Sequence, residues 1–428
     1  MSIETAAAPS RWSRRHTLIA LCCAGLVLAY TDRVNISVAA VAMREQFGWS
    51  QGVKGLVLSA FFVGYLLFMV ASGVLATRFG GRRVLAVAVV WWSVFTLLTP
   101  MAAATSLTML IMARVALGLG EAAVLPASYE LFGRWVPAQE RSRAVAWFLS
   151  GTALGQVIGL TGSGWLTARM GWPSSFHVFG LFGFVWVAVW LASVPREAAD
   201  PVRLTSAHRD LLMPQGPDAP AGAALRTPWR LLLSSPAIWA IVVGAFCANW
   251  TLYLLLAWLP SYFRDVFHLG LANTGLYSAA PWVASFLGMH VAGQVSDSAI
   301  ARGARVITLR RIMTGISLLG TGSCLLILQY VNHAPAALAL ICAATAMSGA
   351  GVAGYYAGPL DIAPRHAGAV IGFVNTIATI PGVAGVALTG WLLDVTHGYQ
   401  LTFLITAALG VIGTLFYWRF AADQPISA

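Results

Sequence analysis

Twelve apolar runs of about 20 residues, separated by charged gaps, leave this chain few architectures. They begin near Thr17, Val53, Val84, Leu107, Ala144, Phe176, Ser235, Asn273, Ile312, Ala336, Ala367 and Leu401. Each can carry a helix across roughly 30 Å of hydrocarbon. A segment in lipid must satisfy its own backbone amides, and runs this long do so as helices; barrel strands instead alternate in polarity over about ten residues. Side-chain content agrees, with 58% hydrophobic and 10% charged residues where soluble domains carry roughly 25% charged. The expected fold class is an all-α membrane protein with 12 transmembrane helices.

Net charge is +11, which in a soluble chain would point to nucleic acid. Of 26 basic residues, however, 20 fall on one set of gaps. These are Arg11, Arg14 and Arg15 at the N-terminus, Arg78, Arg82 and Arg83 after the second run, and Arg134, Arg141 and Arg143 after the fourth. Arg196, Arg203, Arg209, Arg226 and Arg230 follow the sixth, Arg302, Arg305, Arg310 and Arg311 the eighth, and Arg365 and Arg419 complete the set. The opposite gaps hold four: Arg44, Lys54, Arg169 and Arg264. By the positive-inside rule both termini and the central loop are cytoplasmic, so the surplus is a topology signal and no nucleic-acid partner is expected. The first run lacks a small-residue cleavage pattern and is read as a retained helix. All five cysteines lie inside apolar runs without metal-ligand spacing, and neither a metal nor an organic cofactor is expected.

The one long hydrophilic stretch, Pro195 to Ser234, divides the runs six and six. Two echoes cross it. GVLATRFGGRR from Gly73 has a counterpart 220 residues later at GQVSD from Gly293, and PAQERSRAVA from Pro137 pairs with PRHAGAVIG from Pro364. The expected layout is therefore two pseudo-symmetric six-helix bundles, residues 1–194 and 235–428, joined by a cytoplasmic linker at 195–234. Such repeats are expected of transporters whose site lies between the halves near mid-membrane. In the fifth run Gly151, Gly155 and Gly159 form a smooth stripe, read as helix packing or as a sliding surface between halves.

Charge inside a membrane is expensive and usually faces a cavity and a partner. Four such residues stand out: Asp32, Arg33, Arg114 and Glu121. Arg114 and Glu121, seven residues apart, project from one helix face. Tyr30, Arg33 and Ser37 share a face of the first helix, and Asp32 and Asn35 the neighbouring one. An anion pairing with either arginine would strip a carboxylate of its partner, and a carboxylate so stranded takes up a proton. Asp32 and Glu121 are thus candidate proton carriers, with Arg33 and Arg114 as anion ligands whose planar fork suits carboxylate or phosphate. The alternative is a set of fixed ion pairs holding two helices together. Weaker polar candidates are Asn249 and Tyr253, one turn apart, and Tyr355 and Tyr356. His290 is a candidate proton sensor or interhelical hydrogen-bonder, and Asp361 a cap or gate contact.

YTDRVNISVA, SAFFVGYLL, GGRRVLAVAVVWWS, ARVALGLGEAAVLPA, ERSRAVAWFLSG, FCANWTLYLLLAWLPSYF and LDIAPRHAGAVIGFVNTIATIPGVAG together resemble the anion:cation symporters of the major facilitator superfamily over nearly the whole chain. The R-x₆-E of the fourth run and the LDIAP passage look like the branch holding sialin, vesicular glutamate carriers and plastid phosphate carriers; the Asp-Arg of the first resembles bacterial sugar-acid symporters. The resemblance implies substrate contact by Arg33, Arg114, Tyr30 and Asn375, and proton handling by Asp32 and Glu121. Departures are Ala248 and Leu58, where vesicular glutamate carriers have arginine and histidine, and Thr152, with Gln156 one turn on, where the galactonate carrier has glutamine. Thr77 replaces an aspartate of the loop motif, so the ion pair there is expected to differ.

No nucleophile–base pair, metal set or phosphate-cradling loop marks an enzyme or an ATP-driven pump, and short termini argue against a receptor. The expected function is proton-coupled symport of a small organic anion, such as a sugar acid or other carboxylate, by alternating access. Its expected setting is a monomer in the cell inner membrane, partnered by lipid and its substrate. Sodium coupling to phosphate or an organic anion is the alternative.

Overall fold

All twelve apolar runs become helices in the computed structural model, which describes residues 14–136, 138–194, 229–363, 367–422 and 424. They are α1 (Arg14–Phe47), α2 (Gln51–Phe79), α3 (Gly81–Thr105), α4 (Leu107–Trp135), α5 (Ala138–Met170) and α6 (Pro173–Ser193), then α7 (Pro236–Phe267), α8 (Leu271–Ala301), α9 (Val306–Leu328), α10 (Ala334–Val352), α11 (Ala367–Thr396) and α12 (Gln400–Phe420). Short helices precede α7 (Trp229–Ser234) and follow α10 (Gly358–Ile362). Several helices begin before their apolar run, α5 at Ala138 and α9 at Val306, because hydropathy marks the part in lipid while helix geometry continues into water. Eleven of the twelve are apolar enough to cross a membrane on composition alone. The exception, α8, is long enough at 31 residues, but Asn273, Ser278, Ser285, His290, Gln294 and Asp297 dilute it. It packs against α5 and α10, so its polar positions need not all meet lipid. The expected linker at 195–234 lies mostly outside the described residues, as do Pro137 and residues 364–366 of the second echo.

Close backbone contact fixes the first half. A Cβ on Gly151, Gly155 or Gly159 would meet Cys23, Val27, Tyr30 and Thr31 of α1, so that stripe packs α5 onto its own half rather than against the other. Thr31 donates to the Gly155 carbonyl at 3.1 Å and Ser163 to Asn35 Oδ1 at 2.8 Å, tying the same two helices.

Different glycines join the halves. A Cβ on Gly164 of α5 would lie 3.0 Å from Gly275 Cα of α8, and one on Gly55 of α2 would lie 3.2 Å from Gly390 Cα of α11. Both contacts sit on the face opposite the termini, where polar groups add to them. Asp394 of α11 accepts the Gln51 and Gly52 amides at 2.7 Å each, supplying the N-terminus of α2 with acceptors and a negative charge from the other half. Arg264 pairs with Glu45 at 3.2 Å, and Asp265 takes Arg44 at 3.7 Å and Gln51 Nε2 at 3.2 Å. These groups edge a polar vestibule of about 1010 Å³. On the terminal face, by contrast, Arg15–Glu140 and Arg310–Asp361 each pair within one half. The halves are closed together on the face away from the termini.

Candidate functional site

The site begins at a break in α4. Its first segment ends at Glu121 and its second starts at Val124. Pro126 has no amide hydrogen to offer the Ala122 carbonyl, and Ser72 of α2 approaches it instead, its hydroxyl shared between the Met69 carbonyl at 2.8 Å and the Ala122 carbonyl at 3.1 Å. Two turns earlier α2 and α4 touch backbone to backbone, since a Cβ on Gly118 would strike the Phe61 carbonyl and one on Gly64 the Val115 carbonyl. That approach lays the Phe61 ring under the charges.

Arg33 reaches Glu121 through Nε at 3.3 Å and Nη2 at 3.0 Å, and both side chains are buried. Its guanidinium also lies 4.6 Å from the Tyr30 ring and 4.8 Å from those of Phe61 and Tyr65, a three-sided aromatic cage. Arg114 is 1% exposed and sits 5.5 Å from Phe61, yet its Nε and Nη1 find no hydrogen-bond partner and no carboxylate lies within ion-pair distance among the described residues. Asp32 turns toward Trp92 and Thr96 of α3, with Oδ1 unpartnered; Glu121 Oε1 is likewise unpartnered. The four charges therefore form one pair and two singles rather than two pairs. Buried polar groups without partners are uncommon and call for an explanation.

Arg33 and Arg114, with Ser37, Leu58, Phe61 and Phe62 of the first half and Leu256 and Ala257 of α7, line a cavity of about 10 Å³. That is room for a water, in the seam between the halves. From the second half Tyr253 packs on Phe62 at 4.6 Å between ring centres and stands beside Thr379 of α11. Asn249, one turn away, donates to the Ala378 carbonyl at 2.8 Å and meets the Tyr356 hydroxyl at 3.5 Å.

Of the sequence-derived candidates, Tyr30, Arg33, Arg114, Glu121 and Tyr253 converge, with Asp32 just behind. Gln156 is buried on α5 and Asn375 half-buried on α11, one turn from Thr379. Thr152 spends its hydroxyl on the Leu149 carbonyl of its own helix. Tyr355 points into the core of the second half, near Ser317 and Gly351; its neighbour Tyr356 is the one that reaches Asn249. His290 is exposed and bonds the Phe286 carbonyl one turn back in its own helix, so it makes no interhelical bond there. Asp361 pairs with Arg310 at 2.8 Å. Thr77 donates to Val74 of α2, while Glu130 of α4 accepts the Gly81 amide at 2.7 Å. Sequence reasoning missed Phe61 and Tyr65, although both lie in the SAFFVGYLL passage. It also misplaced Lys54, which is not a loop residue but lies inside α2, 1% exposed.

Residues 22–309 match the model of the Major Facilitator Superfamily. The chain belongs to that superfamily. Its members are membrane transporters, not enzymes, and this chain is a multi-pass membrane transporter with the two-bundle fold. It is 36% identical over 419 residues to the chloroplastic sodium-dependent phosphate transport protein 1 of Arabidopsis thaliana, covering 98% of this chain and 80% of that one. It is 35% identical over 418 residues to the chloroplastic ascorbate transporter of the same plant, covering 97% and 76%. The chloroplastic probable anion transporter 4 of Oryza sativa subsp. japonica is 36% identical over 420 residues, 98% of this chain and 70% of its own. Among solved structures, a bacterial homolog of the human lysosomal transporter Spinster, in an inward-facing and occupied conformation, matches with a TM-score of 0.77 at 17% identity over 97% of each chain. A D-xylose–proton symporter matches at 0.71 and 14% identity, over 96% of this chain and 99% of its own. These two speak to fold alone.

Proposed function

We propose that this superfamily member is a proton-coupled symporter of a small organic anion, a sugar acid or other carboxylate, working by alternating access. One observation carries the reading: the buried guanidinium of Arg114, with Nε and Nη1 unpartnered and no carboxylate in ion-pair contact among the described residues, beside the paired Arg33 in the seam between the halves. An anion entering there gains two guanidinium forks. When it takes the donors of Arg33, Glu121 loses both its hydrogen bonds, and Oε1 already has none. A carboxylate stranded in so apolar a place accepts a proton, Asp32 serving as the second proton-binding group. Loaded with a monoanion and a proton together, the site of two arginines and two acids stays neutral as the carrier rocks, where the anion alone would leave it negative. The names of the relatives, which include anion, phosphate and ascorbate transporters, support an anionic substrate.

With the termini cytoplasmic, as the basic loops indicate, the closed face is the outer one. The protein then acts as a monomer in a cell inner membrane. A second reading, sodium-coupled carriage of phosphate or an organic anion, is favoured by the relative named for sodium-dependent phosphate transport.

Proteoliposome uptake of labelled gluconate, ascorbate and phosphate separates the two. The proton reading expects accumulation under an imposed pH gradient without sodium; accumulation that needs a sodium gradient and ignores pH rejects it.

A further inference from the structure

Lys54 is the single lysine among 26 basic residues, and the mechanism above leaves it unused. Its side chain crosses from α2 to α7, where Nζ meets Ser261 Oγ at 2.8 Å and lies 4.5 Å from the Trp258 ring. No carboxylate stands within ion-pair distance of it among the described residues. The nearest charges are spoken for: Asp394 holds the α2 amides, and Asp265 takes Arg44, Gln51 and the Tyr399 hydroxyl. A buried ammonium with one hydroxyl and an indole face is a poor structural staple, since an apolar pair of like volume would hold the same helices without desolvating a charge.

Its position along both helices is informative. One turn deeper on α2 is Leu58, and one turn deeper on α7 from Ser261 is Ala257; those two line the small cavity with Arg33 and Arg114. Three residues past Leu58 comes Phe61, whose ring underlies both guanidiniums. A helical turn rises about 5.4 Å, so Lys54 roofs the arginine chamber at the distance of a single turn, on the face where the halves are closed. When α2 and α7 part there, the ammonium is uncovered on the wall of the opened route.

We propose that Lys54 is an anion-binding site of the state open on the face away from the termini. It takes the carboxylate or phosphate of the incoming solute before Arg33 and Arg114 do, and is shut away against Ser261 and Trp258 when that face closes. This rests on the anion-symport reading, because it is that solute which Lys54 would meet.

Proteoliposomes carrying the wild type, Lys54→Met, Lys54→Arg and Ser261→Ala test it, with gluconate, ascorbate and inorganic phosphate as probes. For whichever probe the wild type carries, Lys54→Met should raise KM for transport from the outer face by about tenfold, the order of one charge-assisted contact. It should leave KM from the terminal face unchanged. Lys54→Arg should restore the outer value, and Ser261→Ala should leave it unmoved. On the wild type, a membrane-impermeant sulfonated succinimidyl ester added outside should label Lys54, the only side-chain amine, and the carried probe should slow that labelling. An unchanged outer KM in Lys54→Met, equal rises on both faces, or labelling indifferent to the carried probe overturns the proposal while leaving symport standing. No uptake of any probe by the wild type overturns the symport reading, and this site with it.

Discussion

Replacing each central arginine by methionine should move stability and transport in opposite ways. Arg114 makes no ion pair and leaves two nitrogens unpartnered. Removing an unpaired arginine from mid-membrane relieves roughly 2.5–3.5 kcal/mol on insertion scales, less about 1 kcal/mol for its contact with the Phe61 ring. Arg114→Met is therefore expected to be more stable than the wild type by at most about 2 kcal/mol, the gain being reduced by lost attraction to Asp32 and Glu121 across the site. Arg33→Met instead strands Glu121, and breaking a buried pair from one side costs about 3–5 kcal/mol; Arg33→Met with Glu121→Gln should recover most of that. For the anion, losing one guanidinium removes at least one contact of about 1.5–3 kcal/mol, a loss of roughly 10- to 100-fold in affinity for either variant. Thermal unfolding of the purified proteins, followed by a thiol-reactive dye that reports exposure of the buried Cys22, Cys247 and Cys324, gives the stability order. Uptake at saturating and limiting anion gives the affinity. An Arg114→Met protein that melts below the wild type and below Arg33→Met would refute the reasoning, because Arg114 would then be a structural partner rather than a ligand in waiting.

Further outcomes are open to measurement. Asp394→Ala removes two 2.7 Å hydrogen bonds between the halves and should favour opening of that face, read as faster outside labelling of Lys54; an unchanged rate counts against the latch. Gly118→Val should impair folding because its side chain would strike the Phe61 backbone, whereas Gly293→Ala, with nothing within 4 Å, should express normally. Tyr356→Phe should alter KM through Asn249, while Tyr355→Phe, in the core of the second half, should leave KM alone and lower the melting temperature slightly. The reverse pattern would reassign the tyrosines.

The sequence carried the architecture because lipid imposes a length and a backbone rule that few residues can evade: all twelve runs are helices, and only the ends and the hydropathy of α8 departed. It also carried the four membrane charges, since each is conspicuous against an apolar run. It did not carry their pairing. Helical spacing says which residues share a face but not which neighbour that face meets, so Asp32 and Arg33, adjacent in sequence, turned out to face α3 and α4. The same limit explains Tyr355 and Tyr356, both equally polar in the sequence, of which one is core and one reaches the seam. The break at Pro126 went unread in the sequence, and the Ser72 hydroxyl that makes it tolerable lies 50 residues from the Ala122 carbonyl it meets. Lys54 reads as a loop residue in the sequence because it stands five residues from Trp49, near an expected helix start. Its being the lone lysine, with Leu58 and Phe61 in step on one face, was the signal available.

The most direct measurement is of protons taken up as the anion binds. Purified protein in weakly buffered detergent with a pH-sensitive dye is titrated with the anion that it carries. The expected result is alkalinisation that saturates with binding, lost in Glu121→Gln or Asp32→Asn while the anion still binds. Saturable binding with no proton taken up by the wild type would contradict the proposed link between the arginines and the acids.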